Sequence, residues 1–123
     1  MRLIFIALLI IAGVSLCGLE GQGNAIAEAY KGFAEEYTVY LIDRKKEIPD
    51  GYSVQQMAED TCRILGEVGI EKMYLYGVSQ GGMIAQCIAA YHPEIVEKMV
   101  ICSSQCRATN TAKEVIGKWA EQN

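Results

Sequence analysis

A chain of 123 residues is one domain's worth, and 51% hydrophobic residues let it bury a core of its own. Charged residues make up 21%, the formal net charge is −4 and no basic stripe is present, so nucleic acid is not an expected partner. With 2 prolines and no Ser/Gly/Pro-rich run there is no linker, low-complexity segment or internal repeat, and residues 1–123 read as a single domain.

The N-terminus admits two readings. Met1-Arg2 followed by the apolar run from Leu3 to Ala12 has the charge and hydrophobicity of a signal peptide. A parallel strand covered on both faces gives the same continuous apolar run. The run is short for a bilayer, so a membrane is not expected as a partner. The strand is the preferred reading, followed by a glycine-rich loop from Gly13 to Gly23. It goes with a cytoplasmic protein, whereas a leader over residues 1–16 would go with export. The five cysteines (Cys17, Cys62, Cys87, Cys102 and Cys106) are odd in number and hold no C-x-x-C pair. They read as free thiols in a reducing compartment, and with one histidine in the chain no metal site is expected.

Asn24 is placed to cap a helix from Ala25 to about Tyr37, whose buried stripe is Ile26, Tyr30, Phe33 and Tyr37. Thr38 to Ile42 is β-branched, aromatic and apolar, hence a strand, ending at the charged loop Asp43-Arg44-Lys45-Lys46. Pro49-Asp50-Gly51 is a turn. Ser53 with Gln56 forms a capping box for a helix with Val54, Met57, Ala58, Thr61, Leu65 and Val68 inside, stopped by Gly69. A strand from Ile70 to Tyr76 follows, then a helix to His92, interrupted by Pro93. Met99 to Cys102 is a last strand, Ser103 to Asn110 a polar loop, and Lys113 to Glu121 a weak helix with Val115, Ile116 and Trp119 on one side. Strict strand-helix alternation predicts an α/β fold: three layers, α/β/α, around a mostly parallel sheet of about four strands. In such sheets function sits at the carboxyl ends of strands, here Gly13–Gly23, Asp43, Ser79 and Ser103-Ser104.

Gly77-Val78-Ser79-Gln80-Gly81 reads G-x-S-x-G between the strand and the helix, the context of a nucleophile elbow. A strand that turns straight into a helix strains the corner residue and crowds the residues two before and two after it. Gly77 and Gly81 have no Cβ, so the turn can close, and Gly82 adds room for the helix to pack near the sheet. Ser79 then has an exposed Oγ beside the amides of a helix N-terminus, and the N–H of Gln80 is the natural donor to a developing oxyanion.

These residues resemble the α/β-hydrolase superfamily. The resemblance is carried by Glu36 to Arg44, Tyr52-Ser53-Val54, Met57 to Asp60, Leu65 to Lys72, Gly77 to Ala85 and His92 to Val96. It implies a partial α/β-hydrolase fold in which Ser79 is the nucleophile of ester, thioester or amide hydrolysis through an acyl-enzyme. The substrate would be a small acyl compound, with no metal and no organic cofactor. Gln80 N–H would be one half of the oxyanion hole. The other half comes from the loop after the first strand, where the family often has histidine-glycine; this chain has Ala12-Gly13, and Val14 N–H is the candidate donor.

The family's acid and histidine come after further strands. The one histidine here, His92, lies thirteen residues past Ser79, roughly 20 Å along a helix, and reads as part of a helix-ending turn. Asp43 reads as a loop-organising carboxylate, and no carboxylate lies immediately after the strand ending at Cys102, where some relatives keep the acid. The chain therefore reads as the N-terminal part of a serine hydrolase, with its triad incomplete. The alternative is a non-catalytic fragment or pseudoenzyme that keeps the elbow for structural reasons. A four-stranded sheet would also leave an apolar edge exposed, which self-association would cover.

Overall fold

The structure, a computed structural model, describes residues 6–11, 23–42, 49–107 and 109–122. Strand β1 (Ile6–Ile11) is followed by helix α1 (Gly23–Tyr30), a 3-10 turn (Phe33–Glu35) and strand β2 (Tyr37–Leu41). Helix α2 (Val54–Glu67), strand β3 (Met73–Val78) and helix α3 (Gln80–Tyr91) come next. A second 3-10 turn (Pro93–Ile95), strand β4 (Val96–Cys102) and helix α4 (Asn110–Gln122) complete the order. The four strands pair in parallel in the order β2-β1-β3-β4, the α/β architecture expected from the alternation.

β1 is the centre of the sheet because its residues tolerate cover on both faces. Leu9 and Ile11 pack into a core with Met73 and Leu75 of β3, Ala58 and Leu65 of α2, and Ile84, Ala85 and Ile88 of α3. Leu8 and Ile10 alternate to the opposite face and are also buried. On that face Tyr30 and Phe33 meet the Tyr76 ring at centroid distances of 6.2 and 6.1 Å, and Tyr37 meets Tyr74 at 5.8 Å. Helices α2 and α3 thus cover one face, and the end of α1 with its 3-10 turn reaches the other.

Local chemistry accounts for the element ends. Ser53 N–H donates to Gln56 Oε1 at 2.8 Å and Gln56 N–H donates to Ser53 Oγ at 3.2 Å, the reciprocal capping box read from the sequence. α2 stops at Gly69 with φ +81°, where Gly69 N–H donates to Gly66 O (3.2 Å) and Ile70 N–H to Leu65 O (2.9 Å). That pair of bonds is a Schellman motif, and Ile70 then packs against the core instead of beginning β3. Val68, expected inside, is 58% exposed because it sits at the helix cap, where the chain is already turning.

The first helix is shorter than its hydrophobic spacing suggested. α1 begins at Gly23, with Asn24 within it, and ends at Tyr30. Phe33 lies in the 3-10 turn and Tyr37 opens β2, so the supposed stripe is split over three elements. Ile26 lies outside the described side chains. Lys31-Gly32 breaks the helix, and the aromatic Tyr37 pairs with β1 as a strand residue. α4 begins earlier than Lys113: Thr109 caps it, accepting from Ala112 N–H at Oγ1 (3.1 Å) and from Lys113 N–H at its carbonyl (3.0 Å). Cys17, Val14 and Asp43 lie outside the described residues. Cys62, Cys87 and Cys102 are half-buried and Cys106 is exposed, all as free thiols. Burial, and then the charges of Glu59 and Glu94, push the Cys62 thiol up to about 11.

β2 and β4 are the outer strands among the described residues, and the register of β4 against β3 slips by one residue at Glu97. Met99 and Val100 on β4 are 38% and 52% exposed. No helix among the described residues is long and apolar enough to cross a membrane.

Two measurements check this packing. Leu9→Ala removes side-chain volume from the strand that both neighbours pair with, and lowers the free energy of unfolding by about 2–5 kcal/mol, read as a lower urea midpoint. His92 Nε2 lies 2.9 Å from Glu59 Oε1, and this hydrogen bond raises the imidazole pKa above its ordinary value. A raised value means that the contact stabilises the fold below the ordinary imidazole pKa and is lost as pH rises through the folded value. The stability gap between wild type and His92→Gln should therefore be wide at about pH 5.5 and close by about pH 8.5.

Candidate active site

β3 ends at Val78 and α3 begins at Gln80, so Ser79 alone makes the corner. Its backbone sits at φ 56°, ψ −119°, a region costly for a residue with a Cβ. The side chain makes no capping hydrogen bond to the helix, and the residue is exposed. A serine at a helix N-terminus ordinarily turns its oxygen back onto the first-turn amides. Here the backbone angle points the hydroxyl outward instead.

The glycines make this corner possible by close backbone contact. A Cβ on Gly77 would lie 2.6 Å from Gly81 O, 2.7 Å from Gly82 Cα and 2.9 Å from Gly81 C. All three atoms are backbone and cannot swing aside. The crowding argued from the G-x-S-x-G pattern is therefore a close backbone approach between residue 77 and residues 81 and 82. Gly82 lies close to the sheet, as expected for it, since its Cα is 2.7 Å from where a Cβ on Gly77 would sit; a Cβ on Gly82 itself would lie 2.5 Å from both Cβ and Oγ of Ser104, and 3.2 Å from Ile101 Cγ2. The space belongs mainly to the loop that leaves β4.

That loop holds the corner from the side. Ser79 N–H donates to Cys102 O at 3.0 Å, and Ser104 Oγ donates to Ser79 O at 2.6 Å. Gly82 N–H (2.9 Å) and Met83 N–H (3.3 Å) donate to the same carbonyl as the first bonds of α3. Gln86 Nε2 spans from α3 to the loop, donating to Gly82 O and Gln105 O at 3.2 Å each. The sequence marked Ser103-Ser104 only as a polar loop at a strand end. Two serines directly after a strand next to the elbow were the available signal, but which backbone group they would meet depends on strand order.

Gln80 occupies the first position of α3, with its amide next to Ser79. Val14, the other expected donor, lies outside the described residues. His92 caps the opposite end of α3, where its ring engages Glu59 and lies 3.7 Å from Glu94 through Nδ1. Ser79 and Gln80 are thus brought together with Gly77, Gly81 and Gly82, and His92 is kept away from them by the length of the helix.

Strain at residue 79 is open to direct measurement. Ser79→Gly removes the Cβ from the positive-φ position and raises stability by about 1 kcal/mol, while Ser79→Ala keeps the Cβ and gives no such gain. Gly77→Ala forces α3 away from β3 and lowers the urea midpoint below that of either serine variant.

Comparison with known proteins agrees with this geometry. The alpha/beta hydrolase fold family matches residues 20–122. The chain is 32% identical over 90 residues to the "Putative carbamate hydrolase RutD" of Serratia proteamaculans (strain 568), covering 68% of this chain and 34% of that protein. It is 32% identical over 88 residues to a "Putative esterase/lipase" of Haemophilus influenzae, covering 68% of this chain and 31% of that one. The chain thus spans about a third of the length of these curated relatives. Among solved structures it superposes on MGS-M2, an alpha/beta hydrolase enzyme from a Medee basin deep-sea metagenome library. The TM-score is 0.76 at 20% identity, over 98% of this chain and 44% of that one. With the strand-corner-helix geometry and the match over residues 20–122 together, the chain belongs to the alpha/beta hydrolase fold family.

Proposed function

We propose that this chain carries the nucleophile of a serine hydrolase acting on a small ester, thioester or amide. The observation that carries the reading is Ser79 at φ 56°, ψ −119° between β3 and α3, exposed and with no capping hydrogen bond from its side chain. The names of the relatives, a carbamate hydrolase and an esterase/lipase, support a substrate with an acyl-type carbonyl.

Ser79 Oγ attacks the carbonyl carbon and loses its proton to a general base. The carbonyl oxygen takes up the negative charge, facing the amides of Gln80 and Val14. Collapse expels the alcohol, thiol or amine, which leaves with a proton, and an acyl ester on Ser79 remains. Water then attacks that ester and restores the hydroxyl. His92 does not serve as the base in this reading, since its ring is held by Glu59 and Glu94 at the other end of α3. The free thiols at Cys62, Cys87, Cys102 and Cys106 fit a reducing compartment such as the cytoplasm.

The engagement of the one histidine elsewhere favours a second reading, in which the elbow persists because β3 and α3 need it to pack. A serine without a base keeps only the part of the rate that oxyanion donors and binding supply. A fluorophosphonate probe separates the two. Covalent labelling at Ser79, located by peptide mass spectrometry and lost in Ser79→Ala, is the expected result. Folded protein, with native circular dichroism, that takes no label overturns the hydrolase reading and leaves the structural one.

A further inference from the structure

We propose that Ser104 is a positioning residue that fixes the peptide plane on which the Ser79 chemistry depends. The inference rests on the reading of Ser79 as nucleophile and concerns a residue outside the G-x-S-x-G segment.

Two rotations set where the Ser79 side chain points: φ about N–Cα and ψ about Cα–C. Fixing the peptide planes on either side of the Cα fixes both. The last residue of β4 grips one plane and the loop that follows it grips the other. Cys102 O accepts the Ser79 N–H at 3.0 Å, which anchors the plane before the Cα. Ser104 Oγ donates to Ser79 O at 2.6 Å, which anchors the plane after it. The two anchors are two residues apart on one segment, so a single stretch of chain clamps an otherwise costly backbone conformation.

The second plane is also the one that carries the Gln80 N–H. Ser79 O and Gln80 N–H belong to the same peptide group and point in opposite directions. A donor on the carbonyl therefore aims the amide and polarises it towards being a stronger donor. Ser104 in this way acts on the proposed oxyanion contact without touching substrate.

The surroundings are shaped for this side chain. Ser79 and Ser103 are the two non-glycine residues with positive φ among the described residues, and Ser103, at φ 50°, is the bend that delivers Ser104 to the elbow. Ser104 Cβ and Oγ fill the space that a Cβ on Gly82 would need, 2.5 Å away. Gln86 fastens the next residue, Gln105, to α3.

The test is the kinetics of fluorophosphonate labelling across probe concentration, together with amide hydrogen exchange. Ser104→Ala should lower the limiting labelling rate about tenfold, with the half-saturating probe concentration unchanged, because the clamp orients and does not bind. Ser104→Thr, which keeps the hydroxyl, should recover most of the rate. Gly82→Ala, which pushes the Ser104 side chain away without removing its hydroxyl group, should reproduce the loss. Exchange of the Ser79 and Gly82 amides should quicken in Ser104→Ala while that of Leu9 stays the same. Labelling of Ser104→Ala at the wild-type rate overturns the proposal. So does a loss that Ser104→Thr does not rescue and that the Leu9 amide shares. Wild-type protein that takes no label overturns the reading of Ser79 and not the clamp, which the exchange of the Ser79 and Gly82 amides then decides.

Discussion

The contact on which the rest of this molecule depends is backbone against backbone, at the corner between β3 and α3. The Cα of Gly77 faces the carbonyl of Gly81 and the Cα of Gly82 so closely that no Cβ fits between them. If that approach opened, α3 would move off the sheet. Ile84, Ala85 and Ile88 would then leave Leu9, Ile11 and Leu75, and the core would lose one of its layers. The same approach leaves Ser79 no ordinary backbone conformation. Stability and exposed hydroxyl are consequences of one constraint. Removing the strain by Ser79→Gly would therefore strengthen the fold and remove the exposed hydroxyl together.

A strained corner persists only where its surroundings over-determine it. Here they do so from two directions. Along the chain, Gly82 and Met83 amides bind the Ser79 carbonyl as α3 begins. Across the sheet, the end of β4 supplies Cys102 O and the loop after it supplies Ser104 Oγ. The second set exists because β4 lies next to β3 in the order β2-β1-β3-β4. Parallel pairing brings the carboxyl ends of the two strands to the same edge of the sheet, where loops from distant parts of the sequence can meet.

A second polar cluster has a different task. His92, Glu59 and Glu94 join the end of α3 to α2 and to the turn before β4, far from Ser79 along the helix. The hydrogen bond to Glu59 ties the end of α3 to the body of α2, and it raises the imidazole pKa because it favours the charged ring. Ser79 and His92 thus flank α3 at opposite ends, separated by its length.

Much of this was legible in the order of residues alone, and the legible part has a common cause. The capping box Ser53–Gln56, the stop at Gly69 and the glycines of the elbow are all satisfied within a few residues, so local spacing reveals them. The apolar run of β1 was readable because a central parallel strand is covered on both faces. What local spacing could not decide was set by neighbours distant in sequence. Phe33 and Tyr37 fit a helical stripe, yet pairing with β1 took Tyr37 into a strand. Gly82 looked like room for a helix on a sheet, and the atoms it accommodates are chiefly those of Ser104, twenty-two residues on. The strand-helix alternation and the corner at Ser79 can be read from the chain alone, because they follow from periodicity and steric rules that act within a few residues. Which loop holds that corner is set by the assembled sheet, because strand order, and not sequence distance, sets which carboxyl ends lie side by side.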